Sequence, residues 1–199
     1  MHMKPINKVF YLFSFLFLAF PNLVFAHAHG GHGLSSGMAH PFSGIDHLLA
    51  MVAVGIISTQ IGGKAIWKLP IAFVAFMVVG GLIAMGGFMI PITELGIAFS
   101  VLLFGVFIAF SKKLSLNWAI LCIALFAMFH GHAHGEEMPL IASPLLYALG
   151  FIVSTTVLHI SGVLIGHYAS KTELTSELLR YTGAGIGVIG LFFLFNLFS

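Results

Sequence analysis

Six apolar stretches, each long enough to cross a lipid bilayer, constrain this chain of 199 residues more than any other feature. A hydrocarbon core requires about 20 predominantly apolar residues per helix. Short polar or Gly/Pro-containing segments separate the stretches. We therefore expect an all-α membrane protein, a bundle of six transmembrane helices embedded in the lipid bilayer after a cleaved N-terminal signal peptide. The predicted spans lie near residues 44–62, 69–89, 93–111, 115–131, 143–168 and 178–198.

The composition agrees with a membrane location and makes the histidines conspicuous. The chain is 59% hydrophobic and 7% charged, whereas a soluble domain averages about 45–50% apolar and about 25% charged residues. A formal net charge of +2 is too small for a polyanionic partner such as nucleic acid. An ordinary cytosolic enzyme, a disordered tail and a nucleic-acid binder are excluded. Eleven histidines remain to be explained, because a bilayer protein keeps few ionisable side chains without a function.

The N-terminal region is typical of a secretory signal peptide. Lys4 and Lys8 precede an apolar run, and a proline and small residues follow that run. Cleavage after Ala26 or after Ala28 fits, and an uncleaved first helix is the alternative. The predicted organisation is a signal peptide over 1–26 (or 1–28), a His-rich outer segment over 27–43 and a single six-helix transmembrane domain over 44–199.

The basic residues predict how the chain crosses the membrane. Cytoplasmic loops carry an excess of Lys and Arg, and with six spans all six basic residues after the signal peptide fall on one side. We therefore expect a multi-pass protein of the bacterial cytoplasmic (inner) membrane with both mature termini outside, in the periplasm. The basic residues are Lys64, Lys68, Lys112, Lys113, Lys171 and Arg180.

Glycines at four-residue spacing predict close approach of helices. Small residues at this spacing allow two backbones to pack together within a membrane. The pairs are Gly162/Gly166 and Gly183/Gly187. We interpret both as packing positions without a further function.

The first candidate site lies where the first predicted span begins. A proline and a glycine bend the chain between His40 and the helix that carries Asp46 and His47. Imidazole and carboxylate together suit a borderline divalent cation such as Ni²⁺, Co²⁺ or Zn²⁺, and Met51 could add a sulfur one turn later. The alternative is a helix capping box formed by Ser43 and Asp46, in which the carboxylate binds backbone donors.

The second candidate site follows the fourth predicted span. If that helix continues to residue 134, His130 and His134 stand one turn apart on one face and can share a metal ion. Glu137 falls one further turn along, while His132 points elsewhere as a peripheral residue and Glu136 faces solvent. The alternative is a polar loop at the membrane interface with solvated histidines.

Further candidates lie along the predicted pathway. His159 falls near or past the midplane of the fifth span, where it either lines a path or hydrogen-bonds a neighbour such as Thr155 or Thr156. His167 would lie at the cytoplasmic end of the same face. Glu94 is either another outer carboxylate or a charge favoured by the helix dipole.

The outer N-terminal segment adds a histidine cluster made of His27, His29 and His32. Cleavage after Ala26 would leave an imidazole at the third position of the mature chain. A free amine, two amides and that imidazole can form the square-planar site typical of Cu²⁺ or Ni²⁺. Cleavage after Ala28 would abolish this site.

Two long motifs resemble the signatures of a known family. HPFSGIDHLLAMVAVG, from His40, and FHGHAHGEEMP, from Phe129, are similar to motifs of the HupE/UreJ family of membrane proteins associated with hydrogenase and urease. LGFIVSTTVLHISG, from Leu149, is similar too, so the resemblance covers essentially the whole chain. It implies a secondary permease for nickel, or in some members cobalt. The family's metal-related positions correspond to His40, Asp46, His47, His130, His134 and Glu137, with His132 and Glu136 at variable positions.

We therefore expect secondary uptake of Ni²⁺ or Co²⁺ for hydrogenase, urease or cobalamin metallocentres, with no permanent cofactor and no enzymatic activity. The chain contains no P-loop or phosphorylation signature, so nucleotide hydrolysis is not expected to drive transport. Cytoplasmic metallochaperones would accept the ion, and a homo-oligomer is compatible with the sequence. Alternatives are an intramembrane zinc-dependent hydrolase and an outer-face metal sensor or buffer without transport. A haem electron carrier is disfavoured, because paired mid-span histidines are missing.

Overall fold

The computed structural model describes residues 33–110, 114–138 and 143–199. These residues form seven α-helices and one 3₁₀ turn, and no strand occurs among them, which confirms the all-α prediction. The predicted signal peptide and His27, His29 and His32 lie outside the described residues. The helices are α1 (Gly33–Ala39), α2 (Ile45–Ile61), α3 (Ala65–Met85), α4 (Thr93–Phe110), α5 (Leu116–Glu136), α6 (Pro144–Ala169) and α7 (Glu173–Asn196), and the turn is His40–Phe42.

Five helices, α3 to α7, are each long and apolar enough to cross a membrane. The first predicted span, near 44–62, corresponds to α2, which belongs to a bent pair because α1 with its following turn meets α2 at an angle of 80°. Large apolar side chains also cover the outside of the helices, as exposed Leu121, Val188 and Phe192 illustrate. Helices that are hydrophobic on all faces are typical of membrane spans. The chain is therefore a multi-pass membrane protein.

Three predicted spans have boundaries that differ from the observed ones by four or five residues. Helix α3 begins at Ala65 rather than near 69, so Lys68 lies in its first turn beside Trp67, a residue type enriched at membrane interfaces. Helix α7 likewise begins at Glu173 rather than near 178. Helix α5 continues beyond 131 to Glu136. Gly131 belongs to this extension, and a Cβ there would overlap the main chain of Met77 in α3, so close packing stabilises a helix that glycine alone would weaken.

The predicted glycine contacts are confirmed. A Cβ on Gly162 of α6 would overlap the carbonyl oxygen of Val52 in α2. A Cβ on Gly183 of α7 would lie 2.7 Å from the amide nitrogen of Ala109 in α4. Both helix pairs therefore pack backbone against backbone, the arrangement that small residues allow in membranes.

Basic residues and histidines lie at opposite ends of the bundle. At one end, Gln60 Nε2 of α2 donates to the Ile108 carbonyl of α4 over 3.2 Å, and Arg180 Nε of α7 donates to the Ala109 carbonyl over 2.9 Å. Lys64, Lys68, Lys171 and Arg180 belong to this end, which we call the basic end. The opposite end, where α2 and α4 begin and α5 ends, carries five of the seven histidines that the structure describes and is called the histidine end.

Candidate metal centre at the histidine end

The bend between α1 and α2 presents the first motif. The Ser43 hydroxyl donates to the His40 carbonyl over 2.6 Å and closes the 3₁₀ turn. Gly44, and not Ser43, is the N-cap of α2, and this N-cap residue makes no side-chain hydrogen bond to the helix. The alternative of a capping box made by Ser43 and Asp46 is therefore wrong. The Asp46 carboxylate is available to its neighbour His47 instead.

Asp46 fixes the orientation of His47. Its Oδ1 atom accepts hydrogen bonds from both the main-chain nitrogen and the ring Nδ1 of His47, each over 2.8 Å. Because an ionised carboxylate can only accept, the proton of a neutral His47 ring resides on Nδ1. The lone pair is then on Nε2, which is buried and has no hydrogen-bond partner in the described part of the chain.

Ser100 of α4 fixes the orientation of His130 of α5. The Ser100 hydroxyl donates its proton to the Ile97 carbonyl over 2.6 Å, so its oxygen accepts from His130 Nε2 over 2.9 Å. The lone pair of His130 is consequently on Nδ1, which is also buried and unpartnered within the described residues. The sequence analysis missed Ser100, because one serine in an apolar helix carries no distinguishing signal.

The two motifs, predicted as separate constellations, meet at one place. The His47 ring centroid lies 4.8 Å from that of His130 and 4.3 Å from that of His134, and His134 lies 4.7 Å from His40. We call His40, His47, His130 and His134 the four-histidine cluster. Both ring nitrogens of His134 are buried without a partner among the described residues.

Glu137 completes the outer side of this cluster. Its Oε2 lies 2.8 Å from His40 Nε2, although the two residues are 97 positions apart. One ligand atom from each of His40, His134 and Glu137 can be chosen so that all three lie within 4.8 Å of one another. Two imidazoles and a carboxylate at this spacing could hold a metal ion.

His159 lies next to the cluster across one aromatic ring. Its Nδ1 donates to the carbonyl of Met51 over 2.7 Å, so its lone pair is on Nε2, which is buried and unpartnered in the described chain. The Phe73 ring lies 5.5 Å from the His130 ring and 5.0 Å from the His159 ring. Phe73 therefore contacts both histidines, which its position in an apolar helix does not reveal.

The expected threonine partners of His159 are wrong. Its Nδ1 bonds the main-chain carbonyl of Met51 instead, and the Met51 side chain is fully buried as part of the hydrophobic core. The predicted threonine partners bond elsewhere, because Thr155 contacts the Met77 sulfur at 3.9 Å and Thr156 donates to the Ile152 carbonyl.

His132 is the main correction to the site prediction. It points away from the four-histidine cluster as expected, but it is fully buried rather than peripheral. Nδ1 lies 3.0 Å from the Thr93 hydroxyl and 3.1 Å from the carboxylate of Glu136, which is exposed as predicted. Nε2 lies 2.8 Å from the Phe88 carbonyl and 3.1 Å from the Ile90 amide nitrogen. Both nitrogens are therefore occupied, and His132 holds the segment between α3 and α4.

The two remaining candidates, Glu94 and His167, are both exposed. Glu94 is exposed in the first turn of α4. His167 is exposed and its ring contacts Tyr168, so it does not continue the buried path of His159.

The cluster has the chemistry of a divalent metal site. His47, His130 and His159 each bind a protein group through one nitrogen and present the lone pair of the other. Metal-binding histidines usually have this second hydrogen bond, which fixes the tautomer and the ring orientation. Nitrogen and carboxylate donors without thiolate suit borderline ions such as Ni²⁺, Co²⁺ and Zn²⁺.

Comparisons with known proteins agree with the motifs. The family model described as HupE / UreJ protein matches residues 15–193. A curated protein named Protein HupE, from Rhizobium leguminosarum bv. viciae, is 42% identical over 149 residues, which cover 73% of this chain and 77% of that protein. No solved structure matches the chain significantly. The chain belongs to the HupE/UreJ family.

Proposed function

We propose that this protein is a secondary permease that carries a divalent transition metal, Ni²⁺ or Co²⁺, into the cell. The observation that carries the proposal is the set of buried lone pairs on His47, His130 and His159, which have no partner among the described residues. Each is fixed by a hydrogen bond on the opposite nitrogen. Desolvated lone pairs of this kind are unfavourable unless a ligand uses them. Membership of a family associated with hydrogenase and urease supports the same substrate.

The geometry suggests an order of contacts for the ion. The outermost group is His40 with Glu137, which are half-buried and exposed and hydrogen-bond each other. An arriving cation replaces that hydrogen bond and gains His134 as a third ligand. It then reaches the lone pairs of His47 and His130, which lie deeper. Exchange between neighbouring sites lets an ion bind selectively and still leave.

The next step takes the ion past Phe73 to His159. The Phe73 ring is fully buried and contacts both His130 and His159. Its side chain has to move for an ion to pass, which makes it a barrier against water and unselected ions. Mixed nitrogen and oxygen ligands favour release at the far end, where cytoplasmic metallochaperones would keep the free ion concentration low.

The direction of transport follows from the charges at the two ends. The basic end carries Lys64, Lys68, Lys171 and Arg180, and the positive-inside rule places such an end in the cytoplasm. The histidine end then faces the periplasm and receives the ion. Both mature termini also lie on that outer side.

Uptake of radiolabelled nickel and cobalt into proteoliposomes tests the proposal. We expect time-dependent accumulation by the wild-type protein and its loss in His47→Ala and His130→Ala. His167→Ala is the matched control, because that histidine is exposed on α6 away from the cluster, and it should transport normally. Undiminished accumulation in both cluster variants would contradict the proposed path. Binding without accumulation would instead indicate a metal sensor or buffer.

A further inference from the structure

Tyr147 has a buried hydroxyl that makes no hydrogen bond within the described part of the chain. It lies in the first turns of α6 and is 4% exposed. Its Oη atom has no hydrogen-bond partner among the residues that the structure describes. Buried tyrosine hydroxyls usually find a partner, and an unpaired one is unfavourable. The hydroxyl therefore requires an explanation in another state of the protein.

The surroundings of Tyr147 point to the outer metal group. Its ring lies 5.8 Å from the ring of His40 and stacks on Phe151 at 6.5 Å. Phe151 in turn lies 4.0 Å from the ring of His134. Tyr147 and His134 also line the same pocket. Tyr147 therefore contacts His40, whose Nε2 bonds Glu137, and shares a pocket with His134.

The Glu137 carboxylate has different hydrogen-bond partners in the empty and in the metal-bound site. In the empty site its Oε2 atom is engaged by His40 Nε2 over 2.8 Å. An ion bound by His40, His134 and Glu137 replaces this hydrogen bond, because the metal takes the place of the proton between the two side chains. The carboxylate then needs a new donor for the oxygen that does not bind the metal, since carboxylate ligands are themselves normally hydrogen-bonded.

We propose that Tyr147 is a positioning residue whose hydroxyl donates a hydrogen bond to the Glu137 carboxylate when the outer site holds a cation. This inference rests on the proposed function. Among the described residues the hydroxyl has no partner in the empty protein, and in the occupied one it is paired, so it favours the occupied state. It also orients the carboxylate on a side chain that is otherwise exposed at the end of α5.

Equilibrium binding of Ni²⁺ to the purified full chain in lipid nanodiscs tests the inference. Tyr147→Phe keeps the stacked ring and removes only the hydroxyl. We expect its dissociation constant to rise about tenfold, the lower end of the range for groups that orient metal ligands. The melting temperature of the empty protein should stay the same or rise, because the lost hydroxyl had no partner. Tyr181→Phe, in which an exposed tyrosine of α7 is changed, is the matched control and should leave both quantities unchanged.

A double-mutant cycle tests whether the hydroxyl acts through Glu137. In a Glu137→Gln background, titrated to millimolar Ni²⁺, Tyr147→Phe should change the dissociation constant by less than about twofold, because the carboxylate it orients is gone. A full tenfold effect in that background would overturn the inference. So would wild-type affinity in Tyr147→Phe, or a lowered melting temperature of the empty protein.

The same titrations separate this inference from the proposed function. Wild-type protein that binds no Ni²⁺ would overturn both. Wild-type protein that binds Ni²⁺, with affinity reduced by Glu137→Gln and not by Tyr147→Phe, would overturn the role of Tyr147 alone.

Discussion

Two faces of helix α5 carry histidines in opposite situations. His130 and His134 face the four-histidine cluster and present three buried, unpartnered nitrogens between them within the described structure. His132 faces the segment between α3 and α4, where both of its nitrogens have hydrogen-bond partners. Residues four apart share a helix face, whereas residues two apart do not. The same side chain therefore presents ligand atoms on one face and stabilises a connection on the other.

The comparison shows that the partner atoms decide the role of each histidine. A histidine held through one nitrogen offers the other to a metal ion. A histidine held through both nitrogens has nothing left to offer. Substitutions on the cluster face should therefore impair metal handling, and substitutions on the His132 face should impair stability.

The largest effect is expected from Asp46→Asn on the cluster face. The amide can donate to His47 Nδ1, which favours the tautomer with its proton on Nε2 and removes the lone pair from the cluster. We expect nickel uptake at low nickel concentration to fall about 100-fold. Radiolabelled uptake, normalised to the amount of folded protein, measures this loss. Uptake at the wild-type rate would contradict the assigned orientation of His47.

His132→Ala tests the other face. In the neutral ring the proton is on Nδ1, which faces the Glu136 carboxylate, so Nε2 accepts from the Ile90 amide. The substitution leaves that amide without its histidine partner and should lower the free energy of unfolding by about 1–3 kcal/mol. Thermal unfolding of the detergent-solubilised protein measures the change. His132→Gln, which supplies both a donor and an acceptor, should recover part of it. A wild-type melting temperature in His132→Ala would show that these hydrogen bonds contribute nothing.

Ser100→Ala should have a smaller effect on metal handling. Without the hydroxyl, His130 loses the group that fixes its tautomer, and nickel affinity should fall about tenfold. Ser161→Ala is the matched control, because that hydroxyl bonds the Val157 carbonyl on an exposed face of α6. Isothermal titration with Ni²⁺ compares the two variants. The same affinity in both would exclude a role for Ser100 in orienting His130.

The smallest effect is expected from Glu136→Gln. The Glu136 carboxylate lies 3.1 Å from His132 Nδ1 but is 32% exposed, and pairs of this kind contribute about 1 kcal/mol or less. The Thr93 hydroxyl can still accept from His132 after the substitution. The loss of thermal stability should therefore be smaller than in His132→Ala. A loss equal to that of His132→Ala would show that the carboxylate of Glu136 provides the stabilisation.

Local features of the site follow from the sequence. Helical spacing correctly predicts that His130 and His134 share a face and that His132 does not, once α5 continues to Glu136. Four-residue glycine spacing correctly predicts that α6 and α7 each approach another helix closely, and the structure identifies these helices as α2 and α4. Both predictions depend only on helix periodicity.

Contacts between distant segments could not be predicted in the same way. No local rule brings His40 to Glu137 across 97 residues. The partners of His132 include the main-chain atoms of Phe88 and Ile90. Because every residue type has the same main-chain atoms, the sequence does not show which of them bind His132. Ser100 and Tyr147 are isolated polar groups in apolar helices. Only the packing of α4, α5 and α6 shows which side chains they lie beside.

Nickel binding to His130→Ala and His132→Ala, measured side by side with the wild-type protein, tests the central claim most directly. Both variants remove one buried histidine from the same helix, two residues apart, so they differ mainly in the face that is changed. We predict that folded His132→Ala binds Ni²⁺ with the wild-type dissociation constant, whereas His130→Ala loses this affinity. Equal affinity in the two variants, or a loss confined to His132→Ala, would contradict the account.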